Sequence, residues 1–406
     1  MPWVWDVRPD PGLPVPAYWA GQILAAGAEG AGAEVPGGGP VLLEAADGYW
    51  TRRGLPGGPG QLLAAPGAEP LLLAVLSASG GDPVLARPAA AWQAPVAHLL
   101  GRNVHTVPTA AEGGGVPDPF ALLETVRRAR ADGADPRLLV LSAADDPTGT
   151  VTAPELLHET CEAAAEAGLL IVSDETYADT LHHRETVMLS PAEMLPEHTV
   201  VLTDLGATLV PSDVPAALAR FPGTDHGRSW RARAERVLAS IRAVLPAPVA
   251  GATAYVLTEP PEVTAHTAAA VRLHARTAAA AYRAITESGG VCRPPKAGFQ
   301  LYPTAGSPGP NAAALAEEHL TAALGHRVLG GHRFGDDPQE PRVRIDIGAL
   351  HGSTEAERRT ALAAADPAAV PHVAAALAAL RTAFTTLTGV AAVSGSADTG
   401  TRGSGV

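Results

Sequence analysis

The chain has 406 residues, 46% hydrophobic and 17% charged, with a net charge of −13. That length carries a large core and two domains, and the acidic balance, which no lysine–arginine cluster offsets, excludes a nucleic-acid or anionic-membrane partner. Residues 1–14 show no basic or long apolar run, and no uncharged apolar stretch reaches membrane length, so no signal peptide, no membrane span and a cytoplasmic location are expected.

Residues 1–45 are rich in Gly and Pro around one helical stretch, 17–33, and read as an N-terminal arm. From residue 48 strands and amphipathic helices alternate: helix 70–79, strand 83–87, helix 91–101, strand 103–108. Residues 117–181 read as helix, strand, loop, helix, strand, and such alternation gives a mostly parallel sheet with right-handed crossovers. Residues 223–262 carry a charged helix and then a Pro-rich connection, and 266–290 form a long helix stopped by glycines. From about 389 the chain is small and polar with no apolar period, which predicts a disordered tail. Cys161 and Cys292 are too few for a disulfide or metal framework and read as small buried residues. Neighbouring His182 and His183 point different ways, so no metal is assigned.

Several segments carry a family resemblance. VVLTDLGATLVPSDVPAALARFP (200–222) is similar to the lysine-bearing segment of the class I/II aminotransferases, fold-type-I enzymes that use pyridoxal phosphate; Asp204, Leu205, Leu209, Ala219, Arg220 and Pro222 agree. LLVLSAADDPTG resembles the strand and N-P-T-G turn, with Asp146 in the asparagine's place; LLIVSDETYADTL resembles the strand ending in D-E-x-Y, with Asp174 and Tyr177 retained. AGFQLYP (297–303) and PRVRIDIGALHG (341–352) resemble the strands after the linking helix, the second keeping Arg344 and placing His351 where tyrosine is expected.

The resemblance implies an α/β fold of fold type I: a large domain with a mostly parallel seven-stranded sheet and a smaller α/β domain. It divides the chain into an arm joining the small domain (1–45), the large domain (46–262), the linking helix and small domain (263–388) and the tail (389–406). It further implies a homodimer, with Tyr49 or Trp50 reaching into the partner's site. In the family an acid pairs with the pyridine nitrogen and a tyrosine contacts the ring oxygen, the places of Asp174 and Tyr177. The arginine at the place of Arg344 clamps the substrate carboxylate.

The departures concern the cofactor. The Schiff-base lysine's place is Ala207, the preceding serine's Gly206, and the phosphate arginine's Pro215. The phosphate-binding helix start after Ala65-Pro66-Gly67 reads Ala68-Glu69, and the stacking ring's place is Ala90, with Trp92 two residues on. The one lysine of the chain, Lys296, lies in another strand pattern. These departures predict that no cofactor binds and that the chain is a pyridoxal-phosphate-independent enzyme of natural-product biosynthesis. It would catalyse acid–base cyclisation, condensation, dehydration or isomerisation of a small carboxylate-bearing metabolite. Asp174, Tyr177, Asp146 and His351 are the expected acid–base groups, with Arg344, Trp92 and Tyr49 around the substrate. The alternative is a non-catalytic homologue that binds a small molecule or a partner enzyme, and a true pyridoxal-phosphate-dependent aminotransferase ranks last. The structural readings set against these roles are an ion pair for Arg344, a core position for Trp92 and a cap for Asp174.

Overall fold

The computed structural model describes residues 7–28, 34–109 and 114–389. Seven short strands make the main sheet: β1 (Leu62–Ala65), β2 (Asp82–Arg87), β3 (His105–Pro108), β4 (Pro136–Leu141), β5 (Leu170–Asp174), β6 (Thr199–Asp204) and β7 (Ala217–Arg220). Their order is β1-β7-β6-β5-β4-β2-β3. Strands β2 to β6 pair in parallel, whereas β7 runs antiparallel to both β1 and β6. The connection 205–216 explains the reversal, because it holds only one 3-10 turn and is too short for a helical crossover. Central strands β4, β5 and β6 are almost wholly buried, as expected of parallel strands covered on both faces. On one face Leu71, Leu72 and Val75 of the helix Ala68–Ser79 pack with Leu138, Val172 and Leu202. On the other, Leu122 and Val126 of the helix Pro119–Ala131, and Leu157 and Cys161 of Pro154–Glu166, cover Leu139 and Ile171.

The long helix Pro261–Glu287 leads to a second, antiparallel sheet of β8 (Gln300–Leu301), β9 (Leu329–Gly330) and β10 (Val343–Asp346), in the order β8-β10-β9. Its core gathers Phe299, Leu301, Val343, Ile345 and Phe384, and reaches Tyr177 and Ala207 at the edge of the main sheet. The two sheets therefore meet above the carboxyl ends of β4, β5 and β6, where open α/β sheets place their ligand crevice.

The helix expected over 17–33 is Ala17–Ala28, and its last expected residues lie outside the described ones, as does the tail from residue 390. Two helices differ from expectation. Pro40–Arg52 begins where the arm is Gly-rich, and Ala247–Leu257 occupies the supposed Pro-rich connection. The second is apolar nearly all round, so it shows no amphipathic period; it packs against the helices Ala17–Ala28 and Pro40–Arg52. Among the described residues no helix is long and apolar enough to cross a membrane.

Candidate active site

A pocket opens at the ends of β5 and β6, lined by Asp174, Thr176, Tyr177, Asp204, Ala207, Asp146, Trp92 and Phe299 from the body of the protein. Arg8 and Pro9 of the N-terminal segment cover it. Asp174 is the last residue of β5, and its Oδ1 accepts from the Thr176 amide (3.1 Å) and hydroxyl (2.7 Å). Thr176 Oγ1 in turn accepts from the Asp204 amide at 3.1 Å, fixing the ends of β5 and β6 together. Burial pushes the Asp174 carboxyl up to about 6, with the Thr176 bonds opposing and the Asp146 and Asp204 charges adding. It therefore exchanges a proton near neutrality.

Tyr177 stands edge-on to Phe299, ring centroids 5.5 Å apart. Its burial raises the phenol well above its usual range, and its hydroxyl has no hydrogen-bond partner among the described residues. Trp92 lines the same pocket with 9% exposure. It also belongs to the core on that face of the main sheet, packed with Leu71, Leu72 and Leu85 in one cluster.

The other expected site residues are placed differently. Asp146 reaches the pocket, but both its oxygens accept from Arg344 Nη1, at 3.2 and 3.3 Å. Arg344 is fully buried, donates through Nε to Asp346 Oδ1 at 2.9 Å, and does not line the pocket. Its guanidinium is committed to two carboxylates of the chain and offers no open fork to a substrate. His351 is fully buried beside His274, ring centroids 5.2 Å apart, and also stands off the pocket. Burial lowers it to about 4, so it is neutral at physiological pH. Tyr49 is buried under the Arg53 guanidinium, 3.5 Å from its ring centre, and donates to Asp179 Oδ2 at 2.9 Å. Trp50 lies in the core beside it, so neither ring of this segment projects from the chain. Lys296 is exposed, and no lysine lines the pocket. Among the described residues no group of three or more His, Cys, Asp or Glu is placed to hold a metal.

Sequence reasoning passed over Arg8, Thr176 and Asp204 as site residues. Asp204 carried a readable signal: VVLTD ends β6 as LLIVSD ends β5, each an apolar run closed by an acid. Arg8 carried none, because it comes to the pocket from a segment without regular structure.

Comparison with known proteins agrees with this geometry. The model of the family "Aminotransferase class I and II" matches residues 48–204. An aspartate/prephenate aminotransferase of Thermus thermophilus is 31% identical over 171 residues, 41% of this chain and 42% of the relative. A probable aspartate/prephenate aminotransferase of Thermus aquaticus is 38% identical over 96 residues, 24% of this chain and 23% of the relative. The chain thus matches less than half the length of these curated relatives. Among solved structures, the aspartate aminotransferase of Thermus thermophilus with maleate superposes with a TM-score of 0.75 at 23% identity, covering 88% of each chain. The aromatic aminotransferase of Pyrococcus horikoshii does so at 0.75 and 20% identity, covering 94% of this chain and 95% of that one. At such identity these two show the fold alone.

Two expectations fall here. A pyridoxal-phosphate-independent enzyme of natural-product biosynthesis, and a pocket that binds no cofactor, were inferred from missing anchors at single positions. The sequence relatives and the two structural neighbours named above are aminotransferases, and these comparisons do not support an enzyme that works without their cofactor. Residues 48–204 are thus similar in sequence to the class I and II aminotransferases, and the described residues share the fold of aminotransferases.

Proposed function

We propose that the chain is an aminotransferase-family enzyme that holds a pyridoxal-type cofactor in the Asp174 pocket without a covalent link to the protein and acts on a small amino or oxo acid. The observation that carries this reading is Asp174 itself: a buried acid at a strand's carboxyl end, facing the pocket beside an unpaired tyrosine hydroxyl.

The residues present suit the ring of pyridoxal phosphate. Asp174 would pair with its nitrogen, Tyr177 with its ring oxygen, and Trp92 with its face. They do not supply an amine, since position 207 is alanine and Lys296 is exposed. Bound there, the cofactor supplies an electron-withdrawing ring that stabilises negative charge developing on the substrate. Asp174, ionised above about 6, would hold a proton at the ring nitrogen. Thr176, bonded to it through both amide and hydroxyl, fixes the carboxylate's direction. Phe299 and Trp92 keep water from the ring. The aspartate/prephenate and aspartate names of the relatives support an acidic substrate. The same reading makes the chain a cytoplasmic homodimer divided near residues 46, 262 and 388.

Pyridoxal phosphate titrated into the protein and followed by absorbance tests this. Saturable binding is expected, unaffected by borohydride as far as the protein mass is concerned, and weakened by Asp174→Asn. No binding by the wild-type chain, or equal binding by the variant, sinks the proposal.

A further inference from the structure

Phe299 is the wall that the second sheet's side gives to the pocket, one residue before β8. Its ring meets Tyr177 edge-on, centroids 5.5 Å apart, and lies 5.0 Å from the His274 ring of the long helix Pro261–Glu287. Tyr177 belongs to the loop after β5. The two rings therefore meet across the crevice, and their mutual placement sets the space left beside Asp174 for a flat ligand. Edge-on ring pairs occur over roughly 4.5–7 Å, so the ring contact alone leaves that placement loose.

The backbone behind the rings is held tightly. Thr180, fully buried, donates through Oγ1 to the Tyr177 carbonyl at 2.6 Å and accepts there from the Gly298 amide at 2.8 Å. His182 Nε2 donates to the Gly298 carbonyl at 2.8 Å, and the His182 amide donates to the Lys296 carbonyl at 2.9 Å. Gly298 has a φ of +70°, a conformation that favours glycine. On the far side, Gln300 Oε1 accepts from the Phe299 amide at 2.8 Å, and its Nε2 donates to the Asp145 carbonyl at 3.0 Å. Residues 298–300 are thus pinned by the loop after β5 and by the turn after β4. Of these contacts, the Thr180 hydroxyl is the one that bonds both ring-bearing segments at once.

We infer that Thr180 is a positioning residue of this pocket: its hydroxyl sets the placement of Phe299 against Tyr177, and through those two rings the fit of a flat ring ligand beside Asp174. Thr180 does not line the pocket, so it acts on a ligand only through the rings it holds. A site keeps its working geometry when the groups behind its lining are locked by buried hydrogen bonds, and a looseness of about 1 Å is enough to spoil it. The ring ligand rests on the function proposed above; the placement of the ring pair rests on the Thr180 bonds alone.

Fluorine NMR of the protein labelled with meta-fluorotyrosine, together with pyridoxal titration, tests this. The chain has six tyrosines, and Tyr177→Phe identifies the Tyr177 signal by its loss. Thr180→Val keeps the side chain's shape and removes both bonds, whereas Thr180→Ser keeps both. Thr180→Val is expected to move the Tyr177 signal toward its position in Phe299→Leu. It is also expected to weaken pyridoxal binding roughly fivefold or more, a small part of what a displacement of about 1 Å can cost. Thr180→Ser is expected to keep the wild-type signal and affinity. A Tyr177 signal unmoved in Thr180→Val, equal shifts in the valine and serine variants, or a moved signal with pyridoxal affinity unchanged overturns the inference. Thr180→Ala is read in the same way should the valine variant fold poorly. No pyridoxal binding by the wild type, with the signal moved by valine and kept by serine, defeats the proposed cofactor and leaves the positioning of the ring pair standing.

Discussion

Replacing Arg344 by methionine separates two roles for this residue. As a substrate clamp it would cost ligand affinity and leave the fold intact. The structure gives it a different duty, since it is fully buried and bonded to Asp146 and Asp346. Removing it strands two buried carboxylates. Breaking a buried ion pair from one side costs roughly 3–5 kcal/mol, a large part of a typical stability of about 5–15 kcal/mol. Burial raises both carboxyls, and Arg344 is the leading influence that lowers them. In the variant both move further up, so the folded state binds more protons than the unfolded chain at mildly acidic to neutral pH. Its stability therefore falls as pH rises, and its deficit against wild type is larger at pH 8 than at pH 5. Urea denaturation followed by circular dichroism at both pH values measures this. The triple variant Asp146→Asn/Arg344→Met/Asp346→Asn, which removes all three charges, is expected to recover most of the loss. A single variant within about 1 kcal/mol of wild type at pH 8, with weakened binding of an acidic ligand, would refute the reasoning and restore the clamp.

Three more expectations use the same measurements. Glu175, fully buried and accepting from Ser173 and Ser190 hydroxyls, is pushed up to about 7 by burial. Because its folded value lies above its unfolded one, it favours folding when protonated, and that benefit is lost as pH rises through 7. Glu175→Gln is then expected to gain on wild type with rising pH, by up to about 3 kcal/mol between pH 4.5 and 8 from a shift worth 1.36 kcal/mol per unit; a difference independent of pH removes that account. Pyridoxal affinity is expected to fall as pH drops through about 6, where Asp174 gains its proton, and to lose that inflection in Asp174→Asn. Tyr49→Phe, which loses its bond to Asp179, is expected to cost about 1 kcal/mol of stability in urea and to leave pyridoxal affinity unchanged, since Tyr49 stands off the pocket.

How much of this was legible in the sequence follows from what each residue depends on. The apolar runs of β4, β5 and β6 and the helices between them announce themselves locally, and so does an acid closing an apolar strand. That is why Asp174 and Tyr177 could be named from the sequence; both line the pocket. Arg344 was recognised by its motif, but its pairing with Asp146 was not, because Asp146 comes from a turn 198 residues away. His351 and Tyr49 failed for the same reason: their surroundings, His274 and Asp179, are set by tertiary packing. The helix Ala247–Leu257 was missed because a helix buried on most sides carries no stripe to read. The cofactor expectation erred differently, by weighing absent residues at single positions above the agreement of the whole chain with its relatives.

The pocket's chemistry turns on three acids that reach it from equivalent places, the turn after β4 and the ends of β5 and β6. Asp146 is spent on Arg344, and Asp204 on a helix amide and Arg8. Among the described residues Asp174 has only the Thr176 amide and hydroxyl as hydrogen-bond partners and no ion pair, so of the three it is the one poised to take up a ligand's proton or positive charge. The Asp146 and Asp204 carboxylates both raise the cost of ionising Asp174. A ligand that brought a positive charge to Asp174 would relieve that repulsion.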